Sequence, residues 1–177
     1  LGNLYAQVVP LGVPSAYDSA KTAYEKAQAM NPTNPQILYI LAQLNIANKD
    51  NKAAKDNLKS AIILKQDYTA AIFLLSQLEV QDGNVKDALA AALAAAYFRP
   101  KDPNILFQVG ILYAAQGDFA NAGAALSATV DANPQFANAR YLLSAVYAKQ
   151  GDFPSALAQM EAIAAISEEN ARAVVTQ

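Results

Sequence analysis

Glycine recurs at 83, 117 and 151, and each is followed by a short polar residue: Asn84, Asp118 and Asp152. The spacing is 34 residues, and Lys49-Asp50 holds the same place one period earlier. A period of this size constrains the fold more than any local propensity, because each unit must stack on its neighbours to bury its apolar face. Pro32, Pro100 and Pro134 share a second slot, with Gln66 and Glu168 in the remaining repeats, and Ala20, Ala54, Ala88, Ala122 and Ala156 share a third. The frame runs without insertion from Ala20 to Glu168. It divides the chain into a partial, modified repeat at 1–34, repeats at 35–68, 69–102, 103–136 and 137–170, and a start of a further helix or cap at 171–177. The expectation is one continuous domain.

Each repeat reads as a pair of helices. In 103–136 the first carries Leu106, Val109, Gly110 and Tyr113 and the second Phe119, Ala122, Leu126 and Thr129, spacings of three and four that mark one buried stripe apiece. Asn34-Pro35 and Asp102-Pro103 supply an N-cap followed by proline at the first helical position. Gly83, Gly117 and Gly151 suit the left-handed conformation that ends the first helix, and Asp50, Asn84, Asp118 and Asp152 suit the N-cap of the second. Gly110, with Ala42, Ser76 and Ser144 in register, faces the constant alanine and leaves the crossing free of bulk, so leucine there would overpack.

These residues resemble the signature of the tetratricopeptide repeat from Leu1 to about Asn170, best in "ILFQVGILYAAQGDFANAGAALSATVDANP" and "ARYLLSAVYAKQGDFPSALAQMEAI". Departures are Asn45 in a slot usually aromatic, the missing turn glycine at Lys49, and Glu79 and Ala92 in slots usually bulky, all expected to weaken local packing. The resemblance implies an all-α fold, a right-handed α-solenoid of antiparallel helix pairs. It implies first helices lining a concave groove, second helices forming the convex back, and a role in binding protein segments.

In that geometry the fifth residue of each full repeat borders the groove: Tyr39, Phe73, Phe107 and Tyr141. The four form either a ladder for an extended apolar segment or packing between adjacent first helices. Gln36, Gln43, Gln77, Asn104 and Asn138 lie on the same face, as hydrogen-bonding groups for a ligand backbone or as ordinary solvated residues. Cations that would grip a C-terminal carboxylate are missing apart from Lys149, so the groove reads as neutral and apolar. Lys49, Lys52, Lys55, Lys59 and Lys65, interleaved with Asp50, Asp56 and Asp67, read as a solvated convex face.

Composition narrows the chemistry. With no cysteine or histidine there is no thiol nucleophile, imidazole base or Cys/His zinc site, and no phosphate loop or nucleophile motif accompanies the scattered carboxylates. The expectation is no enzyme, no catalytic or metal residue and no cofactor. A net charge of −2 gives no footprint for nucleic acid. The longest apolar run, Ala88 to Phe98, is far short of the ~20 residues of a membrane span, so direct insertion is not expected.

Two functions follow: a scaffold binding an extended apolar segment of a partner protein, or a structural protein whose copies stack end to end into oligomers or filaments. End contacts would involve Leu1, Leu4, Val174 and Val175. Leu1 to Tyr5 align with Val109 to Tyr113 and Leu143 to Tyr147, but six extra residues separate Tyr5 from Ala20, so Val8 to Pro14 reads as an enlarged interhelical loop followed by a capping box at Ser15 and Asp18. That loop is a spacer or a contact for the groove edge or a partner. The chain reads as an excerpt of a longer bacterial polypeptide. Its opening is loosely similar to repeat regions of O-antigen ligase or polymerase-like membrane proteins, which would place it outside the cytoplasm.

Overall fold

The computed structural model describes residues 16–175, with side-chain surroundings through Glu168. Leu1, Leu4, the loop at 8–14 and the cap at Ser15 lie outside the described residues, as do the side chains of Val174 and Val175. The described chain is an all-α helical repeat array, divided into two compact units, Leu1–Asp82 and Gly83–Gln177. The first unit holds α1 (Ala16–Met30), α2 (Pro35–Ala47), α3 (Asn51–Leu64) and α4 (Thr69–Gln81). The second holds α5 (Val85–Phe98), α6 (Pro103–Ala115), α7 (Phe119–Ala132), α8 (Ala137–Gln150) and α9 (Phe153–Val175). Within each unit every helix packs on the next, and α9 runs unbroken through the start of the 171–177 segment.

The helix boundaries follow from backbone chemistry. Asn34 accepts from Gln36 N at 3.0 Å and Asp102 from Asn104 N at 3.0 Å, each with proline at the next position. Asp50, Asp118 and Asp152 accept from Ala53, Asn121 and Ser155 N at 3.0, 3.1 and 3.2 Å. Asn84 does not make this cap bond at α5, where the first-turn Asp87 supplies the negative charge that the helix N-terminus favours. Tyr68 and Phe136, at the starts of α4 and α8, also lack a side-chain cap.

Gly83, Gly117 and Gly151 have φ of 77°, 78° and 80°. Lys49, in the same slot, is forced to φ 62°. The turn is nevertheless built identically: Asp50 N reaches Asn45 O at 2.8 Å, as Asp118 N reaches Tyr113 O at 3.0 Å and Asp152 N reaches Tyr147 O at 2.9 Å. This six-to-one closure satisfies a carbonyl that the helix end would leave open, and it holds a side chain in a region that costs about 1–2 kcal/mol.

In the first unit one cluster joins Leu38, Ala42, Ala54, Leu58, Ala61, Ala71 and Leu78, and another joins Ala20, Tyr24, Leu41 and Leu44. In the second, Ala122, Leu126, Val130, Ala139, Leu143 and Val146 form one, and Ala88, Leu89, Ala92, Val109 and Leu112 the other. Of the predicted stripes of α6 and α7, Val109, Gly110, Ala122, Leu126 and Thr129 are buried and Leu106, Tyr113 and Phe119 half-buried, while Ile105, Leu112, Gly123 and Val130 are buried beside them. Gly110 faces Leu126: a Cβ on it would lie 2.6 Å from Leu126 Cγ and 2.9 Å from Cδ2, nearer than any atom of the fully buried Ala122. Ala42 and Ser76 are fully buried in the same slot, whereas Ser144 is only half-buried.

Two unusual residues of the first unit do not leave defects. Asn45 is buried and accepts from Tyr17 Oη at 2.9 Å. Glu79 is buried and pairs with Lys55 Nζ at 3.2 Å, and Lys55 also meets Asp82 at 2.6 Å. Lys55 therefore leaves the solvated lysine face expected from sequence; its side chain is 17% exposed. Among the described residues no buried side-chain nitrogen or oxygen lacks a hydrogen-bond partner.

Replacing Lys49 by glycine relieves the left-handed strain against a larger unfolded-state entropy, and the expected result in urea denaturation is a net gain of about 0.5–1 kcal/mol. Gly110→Ala is expected to cost about 1–3 kcal/mol, because fully buried Leu126 has little room to retreat. Its effect should be non-additive with Leu126→Ala in a double-mutant cycle.

Candidate functional site

The sequence-predicted aromatics separate into two kinds. Tyr39 packs on the core and meets Tyr68 in a tilted arrangement, ring centroids 5.4 Å apart, while the Tyr68 hydroxyl donates to Gln36 Oε1. Phe107 does the same with Phe136 at 4.8 Å. Both partners sit at the uncapped start of the next first helix, and each ring contact lies within its own unit. Phe73 is half-buried, and Tyr141 is 60% exposed. Gln43, Gln77, Asn104 and Asn138 are exposed.

What the aromatic pattern does not reveal is a cleft in the second unit of about 200 Å³. Its walls are Ile111 and Ala114 of α6 and Leu142 and Ala145 of α8; Leu126 and Val146 lie beneath, Phe119 stands at one end and Lys149 on the rim. The two first helices barely touch each other across α7, and the alanines keep their facing surfaces low. Gln150 Nε2 donates to Phe119 O at 2.9 Å, tying the end of α8 to the start of α7. Tyr141 and Asn138 precede Ala145 by four and seven residues, and Asn104 precedes Ile111 by seven, so helical spacing puts them on the same faces as the cleft walls.

The 34-residue register gives the counterpart positions of the first unit: Gln43 for Ile111, Ile46 for Ala114, Asn51 for Phe119 and Gln77 for Ala145. There Ile46 packs against the core, and Asn51 Nδ2 donates to Gln81 Oε1 at 3.4 Å. The sequence signal for the cleft was thus a change from amide to apolar side chains in fixed slots, combined with two alanines.

Several titratable groups are shifted by the hydrogen bonds that hold helices and caps. The hydrogen bond to Asp82 raises the Lys55 ammonium above its usual value, against desolvation and with help from Glu79. The same bond holds Asp82 below the usual carboxylate range. Hydrogen bonds from Asn121 and Ser155 likewise lower Asp118 and Asp152. Among the described residues no group of three acids is placed to hold a metal ion, and no helix is long and apolar enough to cross a membrane.

The chain matches the tetratricopeptide repeat family over residues 16–54 and 108–171, more than half its length. It belongs to that family. Tetratricopeptide repeat proteins mediate protein–protein interaction and are generally non-catalytic. The stretch between the two matched segments includes Lys55, Glu79 and Ala92, where the pattern departs most. Among solved structures, a crystal structure of MamA is similar with a TM-score of 0.81 and 20% identity, covering 89% of this chain and 92% of that one. YrrB, described as a tetratricopeptide repeat protein with an unusual peptide-binding site, has a TM-score of 0.75 and 21% identity, with 97% and 89% covered. TTC0263, a thermophilic tetratricopeptide repeat protein of Thermus thermophilus, has a TM-score of 0.59 and 25% identity, with 98% and 96% covered. No curated protein matches the sequence.

The charge triad gives a pH test. Lys55 is raised, so its contribution is present below the ordinary lysine value of 10.5 and lost as pH rises through the higher folded value. Asp82 is lowered, so its contribution is present above 3.8 and lost as pH falls through the lower folded value. Lys55→Met is expected to reduce stability between these limits, with the deficit shrinking toward both extremes in denaturation curves recorded across pH.

Proposed function

We propose that this chain is a non-catalytic interaction module, and that its second unit holds an extended segment of a partner protein by an apolar side chain set into the cleft between α6 and α8. The observation that carries this reading is the cleft itself: about 200 Å³ with walls of Ile111, Ala114, Leu142 and Ala145. It is small beside the roughly 300–1,000 Å³ of sites for whole small ligands. It exceeds the ~150 Å³ of an apolar cavity that takes up benzene, so one leucine-sized or aromatic side chain fits it. Tyr141, Asn104 and Asn138 are placed to flank the bound backbone. Tyr39 and Phe107 do not belong to the contact surface in this reading, being committed to Tyr68 and Phe136.

A second reading, end-to-end association of copies, draws on α9, where Phe153, Leu157 and Met160 are exposed at 69%, 60% and 43% along one face. The loose similarity of the opening stretch to membrane-protein repeat regions falls outside the described residues and supports neither reading.

The test is to pan a phage-displayed library of random dodecapeptides against the 177-residue chain and against Ala114→Ile, a change tolerated in the same slot at Ile46. Recovered peptides should share one bulky apolar residue and bind the variant at least about 10-fold more weakly, the scale of a central anchor. Equal binding by a folded variant overturns the site. Light scattering on the same samples reads the second proposal: a mass that rises with concentration supports it, and a constant monomer mass removes it.

A further inference from the structure

The cleft carries an electrostatic asymmetry that a neutral groove would not have. Neither first helix of the second unit contains an acidic residue: α6 is uncharged, and α8 has only Arg140 and Lys149. Arg140 is turned away from the cleft walls, donating from Nε to Pro134 O and from Nη1 to Gln159 Oε1, both at 2.9 Å. Lys149 stands on the cleft rim and makes no ion pair among the described residues. The carboxylates that begin α7 and precede α9 are engaged elsewhere, Asp118 with Asn121 and Asp152 with the Ser155 N–H. An otherwise acidic chain, net −2, thus presents one uncommitted cation beside its apolar cleft.

We infer that the segment bound in the cleft is acidic at its anchor, with a bulky apolar side chain between Ile111 and Leu142 and an aspartate or glutamate one or two residues away meeting Lys149. This rests on the apolar-anchor reading above and adds the partner's charge. The attraction has a simple origin. Excluding water from the cleft strengthens a rim ion pair over one in open solvent, while a basic neighbour of the anchor would be repelled. Lys149 also lies in the last turn of α8, where a cation complements the helix dipole. That role concerns α8 alone and sets no preference among ligands.

The test repeats the dodecapeptide selection on the wild-type chain, Lys149→Gln and Lys149→Glu, with deep sequencing of the recovered pools at low and high salt. On wild type, Asp and Glu should be enriched about two- to five-fold within two positions of the apolar anchor, the range of a partly exposed ion pair, and less so at high salt. Lys149→Gln should abolish that enrichment while keeping the anchor, and Lys149→Glu should shift it to Lys and Arg. An apolar anchor without any acidic preference on wild type overturns this inference and leaves the apolar site standing. A preference unchanged by Lys149→Glu overturns the assignment to Lys149. Pools with no common apolar anchor, or with an anchor indifferent to Ala114→Ile, remove the underlying site and this inference with it.

Discussion

Two helices can lie with their backbones in near contact only where one of them gives up its side chain, and that requirement organises this protein. At Gly110 the missing Cβ is replaced by Leu126, whose Cγ occupies the space a methyl group would need. Ala42 and Ser76 keep the same slot small elsewhere. Because the slot must return to the same face of every first helix, the turn between helices must also have constant length. Hence the left-handed residue at 49, 83, 117 and 151, occupied once by lysine and three times by glycine. The cleft between α6 and α8 depends on the same interaction: Leu126 sits deep because Gly110 admits it, and it lines the cleft from below.

The parts of the fold that recur by sterics were legible in the sequence. Glycine at a left-handed turn, asparagine or aspartate before proline, and alanine at a crossing each have one physical reason to be where they are. Residues whose meaning depends on a distant partner were not. Asn45 and Glu79 read as defects because nothing local shows that Tyr17 and Lys55 reach them. Lys55 reads as one solvated lysine among several, since charge patterning cannot tell which of them a neighbouring helix covers. Asn84 has the right side chain for a cap and does not make the bond. The candidate site was legible only in part. A ladder of aromatics is conspicuous in sequence, but nothing local shows that two of its rungs, Tyr39 and Phe107, contact Tyr68 and Phe136, and the cleft is signalled only by apolar residues replacing amides in fixed slots and by two alanines.

The two units solve the same packing problem with different chemistry. The first places charges and amides in its variable slots: Lys55, Glu79 and Asp82 in one cluster, Asn45 with Tyr17 in another, Asn51 with Gln81 in a third. Each buried or half-buried polar group there needs its partner, because losing one member would leave the other unsatisfied. The second unit places Gly123, Tyr147 and Gln150 in the slots of Lys55, Glu79 and Asp82. In these slots the second unit therefore carries no ion pair like that of Lys55, Glu79 and Asp82 in the first.

The contact of Tyr39 with Tyr68 and of Phe107 with Phe136 has a bearing on how such an array is inherited and edited. Position 34 of successive repeats reads Asn34, Tyr68, Asp102, Phe136 and Asn170, a polar residue alternating with an aromatic one. At this slot the pattern repeats every 68 residues, twice the spacing of the turns and crossings. In junction chemistry the array alternates between a repeat entered through a capped helix and one entered through an aromatic ring. Duplication or deletion of a single repeat preserves every helix and turn in register yet brings two like junctions together. Gain or loss of a pair, in contrast, keeps both the helical register and the alternation of junctions.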